Sequence, residues 1–473
     1  MRKLLIWTAV ILLLLVTNFL TYSFARQDAP PAVTEEDTAG EANYQEEYRL
    51  LFEVMEILEE DYVDPVEAEE LLEGAVEGMV DSLEDPQSSY LDQEALEELL
   101  LETEGTFGGI GVRVTEVEGR VTVVEVLPDT PSEEVGLQRG DHIWKVDGQE
   151  MEEDPLEEAV DMMRGEEGTE VQLNVKRPGA SEPLEFDITR QQIRAPTVYH
   201  QWIDQEAGLG YIEISSFDRE TSGDFLEALQ QMEEEGLEGL VLDLRYNPGG
   251  LLDQAINVAE ELVPEGEITS LVGRDDQVID TYHSQTGAKP YPISVLINQD
   301  TASGSEIIGG ALQDHQAAEL VGTSTFGKAT VQNIERDLSE GGLRYTVARY
   351  VTPEGRDLHE DGLNPDHEVD PSRVFSYYRY FIPEELEEGD RGEAVQMLQE
   401  MLNAVDMEVE LSGVYDEQTK EALRNFQEEV GLEADGEFGE VTWLELREKI
   451  DERVMEEDPQ IEKAVEVIRG GSN

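Results

Sequence analysis

Ser303, Lys328 and Gln332 are the residues whose types and spacing could do chemistry together. The run Thr301-Ala302-Ser303-Gly304-Ser305 stands between an apolar stretch, "ISVLI", and a helix-like pattern, "EIIGGALQD". Hydroxyls at such a point are ordinary helix caps. They can equally hold a nucleophile, because a helix N-terminus offers free N–H groups and a dipole to developing negative charge. Downstream, "VGTSTFGKATVQ" places Lys328 among small and apolar neighbours, with Gln332 four residues on. Desolvation lowers a lysine's pKa, and a neutral lysine can take the proton of a hydroxyl. A lone lysine in such a setting is commonly a snorkelling surface residue. A third stretch, "VLDLRYNPGG", ends a buried strand in Gly249 and Gly250, whose backbone can come close to a bound chain at the edge of a sheet.

Other chemistries find less support. There is no cysteine among the 473 residues, so thiol nucleophiles, disulfides and Cys-ligated zinc are excluded. Neither a Gly-x-Ser-x-Gly elbow nor a His-Glu-x-x-His helix is present. The histidines are scattered, although pattern alone leaves open a Ser-His-Asp arrangement using His315 or His359. No metal or organic cofactor is expected.

The elements that must position these residues follow from periodicity. Residues 1–26 read as a signal peptide or an N-terminal membrane anchor, with a basic start and an apolar run, and residues 27–44 as an acidic linker. The remainder is then expected outside the cytoplasm. Residues 45–104 read as helices, 105–196 as short strands with glycine-rich turns, and 197–375 as strands alternating with helices, hence an α/β core. Residues 384–450 read as a small all-α domain and 451–473 as a tail. The chain holds 110 acidic against 32 basic residues, a net charge of −78, which repels nucleic acid. Acids spread through amphipathic segments are read as a surface adapted to high salt, as in a halophilic proteome.

Five stretches in order, "GMVDSLEDPQSSYL", "DLRYNPGG", "TASGSEIIGGALQD", "GTSTFGKATVQ" and "YVTPEGRDLHEDGLNPD", resemble the marks of the carboxyl-terminal processing peptidases, tail-specific serine proteases of family S41. The resemblance implies an α/β peptidase core with an inserted, mainly β PDZ domain, an N-terminal helical region and a small all-α C-terminal domain. It implies Ser303 as nucleophile, Lys328 as base and Gln332 as the residue orienting that base. It places the oxyanion hole on the N–H groups of Gly304 and of Gly250, or else Gly249. Two departures are Thr301 for a serine and Gly304 for an alanine, the latter expected to loosen the turn slightly.

"GGIGV", with Gly109, Ile110, Gly111 and Val112, and the following "VLPDTPSEEVGLQRGDHIWKVDGQ" resemble a PDZ domain. Its loop N–H groups would cradle a peptide carboxylate while the peptide adds to the sheet edge. Arg164 is a candidate for coupling this domain to the site. Residues 384–450 resemble a peptidoglycan-binding domain. The implied partners are protein substrates with unstructured C-terminal tails and peptidoglycan, and relatives with such N-terminal helices form homodimers. The alternative is a non-catalytic PDZ scaffold anchored to the cell wall.

Overall fold

The structure, a computed structural model, describes residues 48–117, 120–151, 155–177, 180, 182–372, 374, 386–432 and 434–470. The expected anchor and linker, 1–44, lie outside them. No helix among the described residues is long and apolar enough to cross a membrane.

The chain divides after Glu84. The first unit contributes α1 (Arg49–Asp61) and α2 (Ala68–Asp81), with Pro65 in the break between them. No residue of α1 is buried, and Leu50, Phe52, Val54 and Ile57 are exposed along it.

The second unit opens with β1 (Ser89–Leu91) and α3 (Gln93–Glu104), which the Asp92 side chain caps by accepting from the Ala95 N–H. Here the structure departs from the all-helical expectation for residues 45–104. Three residues give no periodic signal, and the strand they join (residues 342–351) lies about 250 positions away. There follow β2 (Thr106–Gly109), β3 (Val112–Val117), β4 (Arg120–Val126), α4 (Pro131–Val135), β5 (His142–Val146), β6 (Gln149–Glu150), α5 (Pro155–Met163), β7 (Glu170–Lys176), β8 (Leu184–Thr189) and β9 (Gln191–Arg194). Strands β2 and β9 pair antiparallel as a two-stranded stalk. Between them β3-β4-β5-β7-β8 form one sheet, whose alternate residues Val121, Val123, Ile143, Leu173, Val175 and Ile188 make a core of their own. This is the PDZ domain.

The α/β core comprises β10 (Val198–Asp204), β11 (Leu209–Ile214), α6 (Thr221–Glu235), β12 (Gly239–Asp243), α7 (Leu252–Leu262), β13 (Gly266–Val272), β14 (Val278–Ser284), β15 (Ile293–Ile297), α8 (Gly304–Asp314), β16 (Ala318–Gly322), β17 (Thr330–Glu335), β18 (Gly342–Val351) and β19 (His367–Glu368). Its main sheet runs β10-β11-β12-β15-β16-β19, parallel from β11 onward. Strands β12 and β15 are buried at every position, which explains their unbroken apolar runs. A second sheet, β1-β18-β13-β14 with β17 on β18, stands beside it.

The C-terminal part holds α9 (Glu393–Ala404), α10 (Glu417–Val430), α11 (Glu440–Glu457) and α12 (Pro459–Gly470). Two buried glutamines organise the turns of the small domain. Gln399 Oε1 accepts from the Gly413 N–H, and Gln427 Oε1 accepts from the Gly436 N–H, each at 2.9 Å.

Helix α12 occupies residues expected as a tail. Its Ile461, Ala464 and Ile468 pack on Leu209, Tyr211, Val241, Leu296 and Val321, on the main sheet. Its start is tied down by a buried cation. Arg245 lies 2.6 Å from Asp243 and 2.5 Å from Asp458, and donates to Gln460 Oε1 at 2.7 Å. All four side chains are buried. The sequence hid this because Asp458-Pro459 reads as a break, and the apolar face of α12 is only three or four residues wide.

Removing a partner from a buried ion network leaves uncompensated charge. Arg245→Met, which keeps the volume, should therefore lower the unfolding free energy by about 3–5 kcal/mol in a denaturant titration. A loss under about 1 kcal/mol would show that the network does not hold α12.

Candidate active site

Ser303 ends the turn after β15 and precedes the first residue of α8. Its backbone sits at φ 55°, ψ −116°, a region that costs a non-glycine residue roughly 1–3 kcal/mol. Surrounding hydrogen bonds hold it there. The Ser303 N–H donates to Glu306 Oε2 at 2.8 Å, and the Ser303 carbonyl accepts from the Glu306 and Ile307 N–H groups. The neighbouring hydroxyls are structural. Thr301 Oγ1 donates to the Leu244 carbonyl at 2.8 Å, and Ser305 Oγ to the Asn247 carbonyl at 3.3 Å, both buried.

Glu306 is 0 % exposed and joins the serine segment to the lysine segment. Its carboxylate also accepts from the Gly327 N–H at 2.9 Å, the Lys328 N–H at 3.0 Å and the Thr325 hydroxyl. Tyr350, on β18, adds a second tie: its hydroxyl lies 2.7 Å from the Lys328 carbonyl and 3.0 Å from that of Ser303. Burial and the Glu306 carboxylate push the Tyr350 phenol well above its ordinary pKa, so it stays a donor. Sequence reasoning assigned no role to either residue. The signal for Glu306 was present: a glutamate three positions after a serine that starts a helix is capping-box spacing.

The Lys328 side chain is half-buried beside the nucleophile turn. Burial, and then the Arg344 guanidinium, lower its pKa below the ordinary lysine value, against an opposite pull from Asp85 and Glu306. Asp85 is itself engaged by the Thr346 hydroxyl at 2.6 Å, the Ser88 hydroxyl and the Gln87 N–H. Ser303, Lys328 and Gln332 line one cleft of about 520 Å³, together with Gly249, Gly250 and Gly304. Gln332 Nε2 donates to Thr330 Oγ1 at 2.9 Å, so in this structure its amide is turned along β17 rather than onto Lys328.

The glycine turn is shaped by its neighbours. A Cβ on Gly249 would lie 2.7 Å from Ser303 Cβ, and one on Gly250 would lie 2.3 Å from the Phe217 carbonyl oxygen. The Gly249 N–H is spent on Asn247 Oδ1 at 2.8 Å. The N–H groups of Gly250 and Gly304 meet no protein acceptor among the described residues. A Cβ on Gly304 would come 2.9 Å from Ala255 Cβ, so glycine here brings α8 tight against α7. This corrects the expectation of a loosened turn: the departure from alanine serves close packing.

The other expected residues lie elsewhere. Gly109, Ile110, Gly111 and Val112 join β2 to β3 in the PDZ domain, and Gly111 sits at φ 83°, where Thr130 also fills the space a Cβ would need. The N–H groups of Ile110 and Gly111 also meet no protein acceptor among the described residues. Arg164 does not line the cleft. It is exposed, and its guanidinium lies over the Phe107 ring of the stalk at 5.3 Å. His315 stands at the far end of α8 from Ser303 with Nε2 on the Glu267 carbonyl, and neither it nor His359 lines the cleft.

Glutamine at 306 would keep the shape but replace one accepting oxygen by a donor facing buried donors. Glu306→Gln should lower stability by about 1–3 kcal/mol and depress labelling of Ser303 by a fluorophosphonate probe. Unchanged denaturation midpoint and unchanged labelling would sink this role.

Comparison with known proteins places the architecture. Four family models match: "Peptidase family S41" over residues 208–369, "PDZ domain" over 108–188, "Activating protease CtpB N-terminal domain" over 14–95, and a peptidoglycan binding domain over 391–446. The carboxy-terminal-processing protease of Bartonella bacilliformis is 38% identical over 351 residues, covering 73% of this chain and 80% of that protein. The carboxy-terminal processing protease CtpA of Bacillus subtilis is 31% identical over 415 residues, covering 88% of each. A solved photosystem II D1 C-terminal processing protease is 30% identical with a TM-score of 0.42, covering 68% of this chain and 92% of that one. The chain therefore belongs to the carboxy-terminal processing proteases, serine-type peptidases of family S41, and carries a PDZ domain and a peptidoglycan-binding-type domain.

Proposed function

We propose that this protein is an endopeptidase of the cell envelope that captures protein C-terminal tails on its PDZ domain and cuts them with a Ser303–Lys328 dyad. The observation that carries the reading is one cleft lined both by a serine, held in a strained backbone at a helix start, and by a lysine whose ammonium form burial disfavours. Neutral Lys328 takes the Ser303 proton as Oγ attacks the scissile carbonyl. The resulting oxyanion sits between the N–H groups of Gly304 and Gly250, which meet no other acceptor among the described residues, while Gly249 shapes the turn. Lys328 then protonates the leaving amine, and its neutral form activates the water that releases the acyl group. Gln332 orients Lys328 after its amide turns away from Thr330. No cofactor enters these steps.

The N–H groups of Ile110 and Gly111, without an acceptor among the described residues, support the Gly109–Val112 loop as the seat for a tail carboxylate. The C-terminal domain binds peptidoglycan, which together with the relatives fits an envelope location and exposure outside the cytoplasm.

Lys328 works deprotonated, and its pKa is lowered, so kcat/KM should rise with pH along a limb centred below the ordinary lysine value. Ser303→Ala should abolish cleavage of an unstructured protein such as casein. Lys328→Arg should be inactive at every pH, because arginine does not deprotonate. Equal cleavage by wild type and Ser303→Ala would remove the nucleophile assignment, and an active Lys328→Arg would require another base.

A further inference from the structure

Arg344 lies on β18 opposite Ile334 of β17 and Ser89 of β1, while Thr346, two residues on, lies opposite Gln332. Directly paired residues point to the same face, so Arg344 shares a face with Gln332, one two-residue step along the sheet, about 7 Å. It lines the same cleft as Ser303 and Lys328.

Its surroundings are unusual for this chain. With 110 acidic residues against 32 basic ones, a cation has many carboxylates available. Arg177 and Arg356 each hold one, and Arg245 holds two. Arg344 makes no ion pair or side-chain hydrogen bond among the described residues, and its Nε is buried without a partner. The two carboxylates that act on neighbouring Lys328 are engaged elsewhere: Glu306 by backbone N–H groups, Asp85 by Thr346, Ser88 and Gln87. A buried guanidinium donor left unmade is costly, and a planar fork of donors fits a carboxylate.

We propose that Arg344 is the specificity residue of the cleft, binding a carboxylate of the substrate chain next to the scissile bond. The inference rests on the peptidase reading of this cleft. The carboxylate has two sources, an aspartate or glutamate side chain near the cut or the free C-terminus of a short tail. The opposite charge also repels basic substrate residues there. Charge-assisted pairing of this kind discriminates on the order of 10- to 100-fold in kcat/KM.

The test uses the full chain and quenched fluorescent peptides matched around one mapped cut site. One pair carries Asp or Asn near the cut with an amidated end; a second pair has neutral residues and a free or amidated end. Each preference is a ratio on a single enzyme, so any change in Lys328 cancels. Wild type should prefer one carboxylate-bearing member by 10-fold or more, and which pair does so identifies the source. Arg344→Gln should bring that ratio to about one, Arg344→Lys should keep part of it, and Arg344→Glu should favour a Lys-bearing peptide. A wild type indifferent in both pairs, or Arg344→Gln that keeps the preference, overturns the inference while leaving the peptidase intact. Cleavage of none of the peptides in a Ser303-dependent manner overturns the peptidase reading and this inference with it.

Discussion

One buried carboxylate holds the site together. Glu306 receives N–H groups from Ser303, Gly327 and Lys328, on two segments that meet only in the folded chain. A carboxylate accepting several backbone donors in a dry interior is a stiff joint, since each lost bond would leave a buried donor unmet. The strained backbone of Ser303 is tolerable because this joint over-determines it. Tyr350 fastens the same two segments from the second sheet, so the serine, the lysine and β18 share one frame.

The frame extends to the far end of the chain. Arg245 follows β12 and leads into the glycine turn beside Ser303, and it is clamped by Asp458 and Gln460 at the start of α12. Helix α12 thus fills the main sheet's apolar face and pins the strand end that feeds the site. The PDZ domain enters differently, through the β2–β9 stalk and with a separate core, as suits a recognition module that need only present a bound tail.

How much was legible in the sequence depended on range. The buried runs of β12 and β15, the helix after Ser303 and the alternation of the PDZ strands are local patterns, and they read correctly. Ser303, Lys328 and Gln332 read together through a family resemblance, and the fold brings them round one cleft. What escaped was set by distant partners. Strand β1 has three residues and takes its conformation from β18. Helix α12 has a narrow apolar face that means nothing until the sheet it covers is known. Gly304 read as slack, whereas its neighbour Ala255 makes it a close contact. Glu306 was visible as a cap but not as the link to a segment some twenty residues later.

The placement of α12 makes the small C-terminal domain an insertion rather than an appendage. The chain leaves the peptidase core, builds that domain, and returns to finish the core. A stop codon at the apparent domain edge would strip the sheet of its cover as well as removing the domain. The resulting bare face of Leu209, Tyr211, Val241 and Leu296 would favour aggregation. Domain loss in evolution, or by design, must therefore excise residues between the two connections and rejoin the chain ahead of Asp458.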